Sequence, residues 1–145
     1  MKRLYFLLIM LAAVASSAIA QKNLRINQAF DGRYRDNPNV QEVYITGAQL
    51  RSYGLDIYHS LTLIDMPKEA SSIVKMVVAD GKKAIDKEVV YRDGGLYYGF
   101  YQLPGNESRR RYIFYLNQTY ARGSKIILIY MEGVASPQTV LRMLQ

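Results

Sequence analysis

The sequence predicts an α+β fold, an antiparallel meander sheet of about five strands with helices packed on one face. Three observations carry this. Residues 67–80 repeat apolar positions at helical spacing, the last third alternates with a period of two between compact turns, and a proline-led apolar segment closes the chain.

The opening, MKRLYFLLIMLAAVASSAIAQ, has Lys2 and Arg3 before an unbroken apolar stretch from Leu4 to Ala15, then small residues ending in Ala18-Ile19-Ala20. This is the pattern of a secretory leader, residues 1–20, cut after Ala20. The apolar run is short of the roughly 20 residues a membrane span needs, and no later segment is long enough either. The expected location is periplasmic or secreted. Residues 21–145 then form a single α+β domain of 125 residues, a size that hides about two-thirds of its extended surface. With no cysteine in the chain, no disulfide supports that domain and no cysteine anchors it to lipid. Lys2 and Arg3 leave with the leader, so 19 basic residues fall to 17 against 12 acidic ones, a net charge of +5. That is a modest pull toward anionic surfaces.

Asn23 to Asp36 carries Leu24, Ile26, Ala29 and Phe30 among charges and reads as one short amphipathic helix, weakened by Gly32. Asn37-Pro38-Asn39 breaks the chain. Val40 to Thr46 is a strand by its β-branched and aromatic content, and Gly47 to Tyr53 is a helical turn closed by Gly54. Ile57 to Ile64 is ambiguous; as a strand it puts Ile57, His59, Leu61 and Leu63 on one face. Asp65 is the expected N-cap of the helix at 67–80, with Pro67 in its first turn. Ala70, Ile73, Val74, Val77 and Val78 form that helix's apolar stripe.

Lys87 to Arg92 and Leu96 to Leu103 flank Asp93-Gly94-Gly95, a hairpin turn. Pro104 to Glu107 is the next turn, and Arg109 to Asn117 and Lys125 to Glu132 complete four meander strands. Ser136 then caps a final helix with Pro137 at its first position and Val140, Leu141 and Leu144 on one side.

Alternation sorts these strands into faces. Arg109, Arg111, Ile113 and Tyr115 oppose Arg110, Tyr112, Phe114 and Leu116; Leu96, Tyr98 and Phe100 oppose Tyr97, Tyr101 and Leu103; Ile126, Leu128 and Tyr130 oppose Ile127, Ile129 and Met131. Neither face is polar, whereas an antiparallel sheet in a single domain usually has one wet face. Either the N-terminal segment and loops cover the second face, which the rule that apolar runs mean burial favours, or it stays partly open as a contact surface. Under the second reading Tyr97, Tyr101, Tyr112 and Tyr115 are the partner or ligand residues, since tyrosine suits half-buried places.

Arg109-Arg110-Arg111 is the candidate anion contact, joined by Lys82, Lys83 and Arg122 in an envelope-surface reading. On a strand the triplet splits, with only Arg109 and Arg111 on the same side. The competing reading is a charged strand end that discourages aggregation beside YIFYL. His59 is the only histidine, so histidine-pair metal sites and cysteine chemistry are absent. On an apolar face it reads as a core residue. Acid pairs such as Asp86 with Glu88 and Asp31 with Asp36 leave room for a glycan hydrolase run by two carboxylates. Asn106-Glu107-Ser108 and Asn117-Gln118-Thr119 fit the glycosylation triplet. No cofactor, metal or nucleic-acid role is expected.

The leader, the segment VQEVYITGAQL and the strand pair RRYIFYLN…KIILIYMEG together resemble small exported proteins of Gram-negative gut bacteria classed only as domains of unknown function. The resemblance implies a periplasmic or surface location and carries over no catalytic residues. The expected function is that of a non-enzymatic exported binding domain using a tyrosine-rich sheet face or edge. Its expected partner is a protein or glycan of the cell envelope, a second copy of the chain included. The alternatives are the small glycan hydrolase and the binder of anionic envelope surface.

Overall fold

A computed structural model describes residues 21, 23–120 and 122–145, with the side chain of residue 120 outside the description. The leader expected over residues 1–20 lies outside the described residues. The fold is α+β, built on an open antiparallel sheet of six strands rather than five, in the order β1-β2-β6-β5-β4-β3. The strands are β1 (Val40–Thr46), β2 (Leu55–Ile64), β3 (Asp86–Arg92), β4 (Gly95–Asn106), β5 (Arg109–Tyr120) and β6 (Gly123–Gly133). The sixth is the segment at 57–64, whose row of Ile57, Leu61 and Leu63 is interrupted by His59 and which the sequence leaves ambiguous. It sits inside the sheet between β1 and β6, with Leu55, Ile57, His59, Leu61 and Leu63 buried and its opposite face only partly covered.

Helices lie on both faces, correcting the one-sided arrangement. On one face α1 (Asn27–Phe30), the surrounding N-terminal segment and α3 (Ala70–Gly81) share a core. There Ile26, Phe30, Ile73 and Val77 pack on Leu61, Tyr101, Ile113 and Leu128. On the other, α2 (Ala48–Arg51) and α4 (Pro137–Leu144) bring Leu50 and Val140 onto Tyr112, Phe114, Ile129 and Met131. The second face is therefore covered by the C-terminal helix, not by the N-terminal segment. Cover is incomplete: Tyr58, Tyr98, Leu116 and Ile127 are only partly buried.

Two local readings are corrected. Asp65 does not cap a helix. It adopts a left-handed φ of 56°, and its carboxylate accepts from the Ser124 amide at 3.0 Å, pinning the end of β2 to β6. A 3-10 turn, Pro67–Glu69, leads into α3 without a side-chain cap. Leu96 joins the Tyr101 face rather than that of Tyr98 and Phe100. The register slips between Val90 and Tyr91, which pair with Tyr98 and Leu96, so Tyr97 is the extra residue of a bulge that reverses side-chain parity. The turn between β3 and β4 has positive φ at Asp93 (52°) and Gly94 (80°), the primed geometry that matches strand twist. Ser136 caps α4, accepting from the Thr139 amide at 3.3 Å.

Candidate functional site

The arginine-bearing end of the sheet holds the densest charge chemistry of the described residues. Register places Arg111 opposite Glu132 on the α3 side of the sheet. Glu132 is 1% exposed. The Arg109 Nε lies 3.1 Å from its Oε1, and the Tyr130 hydroxyl donates to its Oε2 at 2.8 Å. Burial raises the Tyr130 hydroxyl well above its ordinary value of 10, and the negative charge of Glu132 raises it further; Arg111 works against both. Arg111 also donates from Nε to the Pro104 carbonyl at 3.2 Å. Arg110 points the other way, donating to the Val134 carbonyl at 2.8 Å. The triplet thus splits: Arg109 pairs with the buried carboxylate, Arg111 lies across from it and holds the Pro104 carbonyl, and Arg110 turns to the opposite face.

Beside this network a cleft of about 300 Å³ is lined by Arg25, Lys82, Lys83 and Arg111, with Asp80 and Asn23. Its four cations come from three separate places: the N-terminal segment, the exit of α3 and strand β5. Lys82 and Lys83 follow the last residue of α3, where the partial negative charge of a helix C-terminus favours cations. Asp80 is the single carboxylate in the lining, and it is occupied. It accepts the backbone amides of Arg25 and Ile26 at 2.8 and 2.9 Å, holding the N-terminal segment against the helix and Arg25 at the rim. Of the predicted anion residues only Arg111, Lys82 and Lys83 meet here. Arg122 follows the far end of β5, roughly 35 Å away at the usual strand rise. Arg25 and Glu132 escaped the sequence reading. The one available signal was Glu132 itself, a carboxylate in step with the apolar Ile126, Leu128 and Tyr130.

The four predicted partner tyrosines are not one surface. Tyr101, Tyr112 and Tyr115 are 3%, 0% and 0% exposed, leaving only Tyr97 half-buried. Both sheet faces carry a core, and it encloses the rings of Tyr101, Tyr112 and Tyr115. Tyr101 fits between two glycines: a Cβ at Gly81 or Gly99 would come within 2.5 or 2.7 Å of its ring. Tyr112 donates to the Ala135 carbonyl at 2.6 Å. Burial pushes the Tyr115 hydroxyl up to about 12. Tyr97 lies under the Arg92 guanidinium, 3.8 Å from the ring centroid. Among the described residues the exposed tyrosines are Tyr44 and Tyr91, on the edge strands β1 and β3, and Tyr53.

Asp86 and Glu88 share a strand face and line one cleft with Gln102 and Leu141, but both are exposed. Asp31 and Asp36 are exposed as well. Among the described residues no group of three His, Asp or Glu side chains could hold a metal ion.

His59 is a satisfied histidine. Its Nδ1 accepts from the Gln21 amide at 2.7 Å and its Nε2 donates to Glu42 at 2.8 Å, while Phe30 and Tyr44 pack on the ring. Burial lowers its pKa below 6.5, outweighing Glu42, which raises it. The unfolded chain therefore takes up the proton first on acidification. The associated stability is complete above the ordinary value and falls as pH drops through it toward the folded value. Between neutral pH and about pH 5 the wild type should lose more stability than His59→Gln, measured as the shift in urea midpoint. Equal losses would place the imidazole in open water.

A family model described as a family of unknown function (DUF6108) matches residues 13–144. The chain belongs to that family. Comparisons with curated proteins and with solved structures find no match. No helix of the described residues is long and apolar enough to cross a membrane.

Proposed function

We propose that the protein is an exported binding domain, periplasmic or secreted, that engages an anionic group of a cell-envelope partner in the cleft beside Lys82 and Lys83. The observation that carries this is convergence: four cations from three chain segments line one concave site whose sole carboxylate is already occupied by backbone amides. A carboxylate, sulfate or phosphate would meet several donors at once, as anion recognition requires. Export is supported by the leader pattern of residues 1–20. Binding is favoured over glycan hydrolysis because Asp86 and Glu88, though they line one cleft, both stand open to water.

The test is salt elution from an immobilised sulfated polysaccharide and flotation with anionic vesicles, using wild type, Lys82→Glu/Lys83→Glu and Arg122→Glu. The expected result is retention that weakens with salt, is abolished in the double variant and is preserved in Arg122→Glu. Preference for polysaccharide or vesicle assigns the source of the anion. Retention unchanged in the double variant, or lost equally in Arg122→Glu, would leave only a diffuse effect of net charge.

A further inference from the structure

The sheet is open, and β3 forms one of its two edges, hydrogen-bonded to β4 alone. An uncovered edge invites another strand, and proteins commonly blunt such edges with charge. The charges of β3 do not blunt it, because they alternate in sign: Asp86, Lys87 and Glu88 at one end, Arg92 at the other. Around this edge lie three exposed apolar side chains, Ile85, Val90 and Tyr91. We propose that two copies of the chain pair through β3, antiparallel about a two-fold axis at Val89, continuing one sheet across both.

The register follows from sign and parity. In a continuous sheet, facing residues must lie on the same face, so the axis must pass through a residue. Centred on Glu88, it sets two like charges against each other at the axis. Centred on Val90, it pairs only residues 88–92. Centred on Val89, it pairs the whole strand Asp86–Arg92. Asp86 then faces Arg92 of the second copy at both ends, Lys87 faces Tyr91, and Ile85 lies diagonal to Tyr91 on the same face. Opposite charges directly across a strand pair stabilise, and like charges destabilise. Arg92 is already held at the edge by its position over Tyr97. The other edge lacks this complementarity: β1 has one charge, Glu42, and it is bound to His59. An interface of one strand and three apolar side chains is small, so the dimer is weak and concentration-dependent.

The chain has no cysteine, so a single introduced thiol reports on the axis. Facing residues in an antiparallel pair have Cα atoms about 4.5 or 5.5 Å apart, within disulfide reach. The full chain should show a monomer–dimer equilibrium in sedimentation. Val89→Cys should oxidise to a covalent dimer several-fold faster than Tyr44→Cys on β1. Asp86→Arg, which removes one exposed hydrogen bond from the Lys87 amide and should move the melting temperature little, should weaken association by at least about tenfold; adding Arg92→Asp should restore it. A monomer at every accessible concentration overturns the proposal. So does cross-linking no faster than at Tyr44, or a dimer indifferent to Asp86→Arg, which would place self-association elsewhere and leave β3 to a foreign strand. The cleft assay is independent of these outcomes, because Lys82 and Lys83 lie outside β3.

Discussion

Replacing Glu132 with alanine should lower the unfolding free energy by about 3 kcal/mol, the lower part of the range for removing one partner of a buried ion pair. Its carboxylate is 1% exposed, against 39% for the Arg109 side chain. After truncation the guanidinium can recover water, whereas the Tyr130 hydroxyl, fully buried, loses its acceptor and keeps its desolvation cost. Most of the loss therefore falls on Tyr130 and on the space left behind. Glu132→Gln keeps the volume and one acceptor and should cost about half as much. Tyr130→Phe leaves the ion pair in place and should cost about 1 kcal/mol. Combined, Glu132→Ala and Tyr130→Phe should cost less than their sum, because the orphaned hydroxyl is gone. Urea unfolding of the four variants measures this. A Glu132→Ala protein within about 0.5 kcal/mol of wild type, the range of a surface substitution, would mean the carboxylate is solvated.

What could be read from the sequence follows from which signals are local. The β3–β4 turn was legible because Asp93-Gly94 accepts two positive φ angles, and the α4 start because Ser136-Pro137 is a cap and first-position pair. The α3 stripe was legible because Ile73 and Val77 repeat at helical spacing. Long-range choices were not. β2 keeps its alternation, with Leu55, Ile57, His59, Leu61 and Leu63 buried in step, but polar His59 interrupts the apolar row and its place between β1 and β6 is a long-range choice. Which helix covers which face is decided by the path of the chain after Gly133, where Ala135 folds back to accept from Tyr112. The bulge at Tyr97 leaves no mark in composition, so Leu96 was assigned to the wrong side. At the candidate site the parity of Arg109 and Arg111 was readable, but Glu132, which pairs with Arg109, is more than twenty residues away in another strand. Asp80, beside Gly81, carries only the local signature of a helix end. Its role depends on the backbone amides of residues 25 and 26, which have no side-chain signature at all.

Asp80→Ala should be the second costly change, by about 2–4 kcal/mol, from two amides left without an acceptor. A carboxylate in the last turn of a helix is disfavoured by the partial negative charge there. Its presence in the last turn of α3 is explained by what it holds: Arg25 and Ile26 donate to its two oxygens, and Ile26 is fully buried. Loss should therefore be local before it is global. The segment carrying Ile26, Ala29, Phe30 and Tyr34 should open, and hydrogen exchange at residues 24–34 should accelerate more than in β5 and β6. Uniform acceleration across the sheet, or none, would refute the anchoring role. Asp80→Asn keeps one acceptor but presents an amide donor to a backbone donor, so it should fall between wild type and alanine. The pair also separates two accounts of the cleft. If retention on an anionic column follows net charge alone, removing this carboxylate should strengthen it in both variants. If retention needs Arg25 held at the rim, it should weaken in Asp80→Ala despite the added positive charge, and by more than in Asp80→Asn.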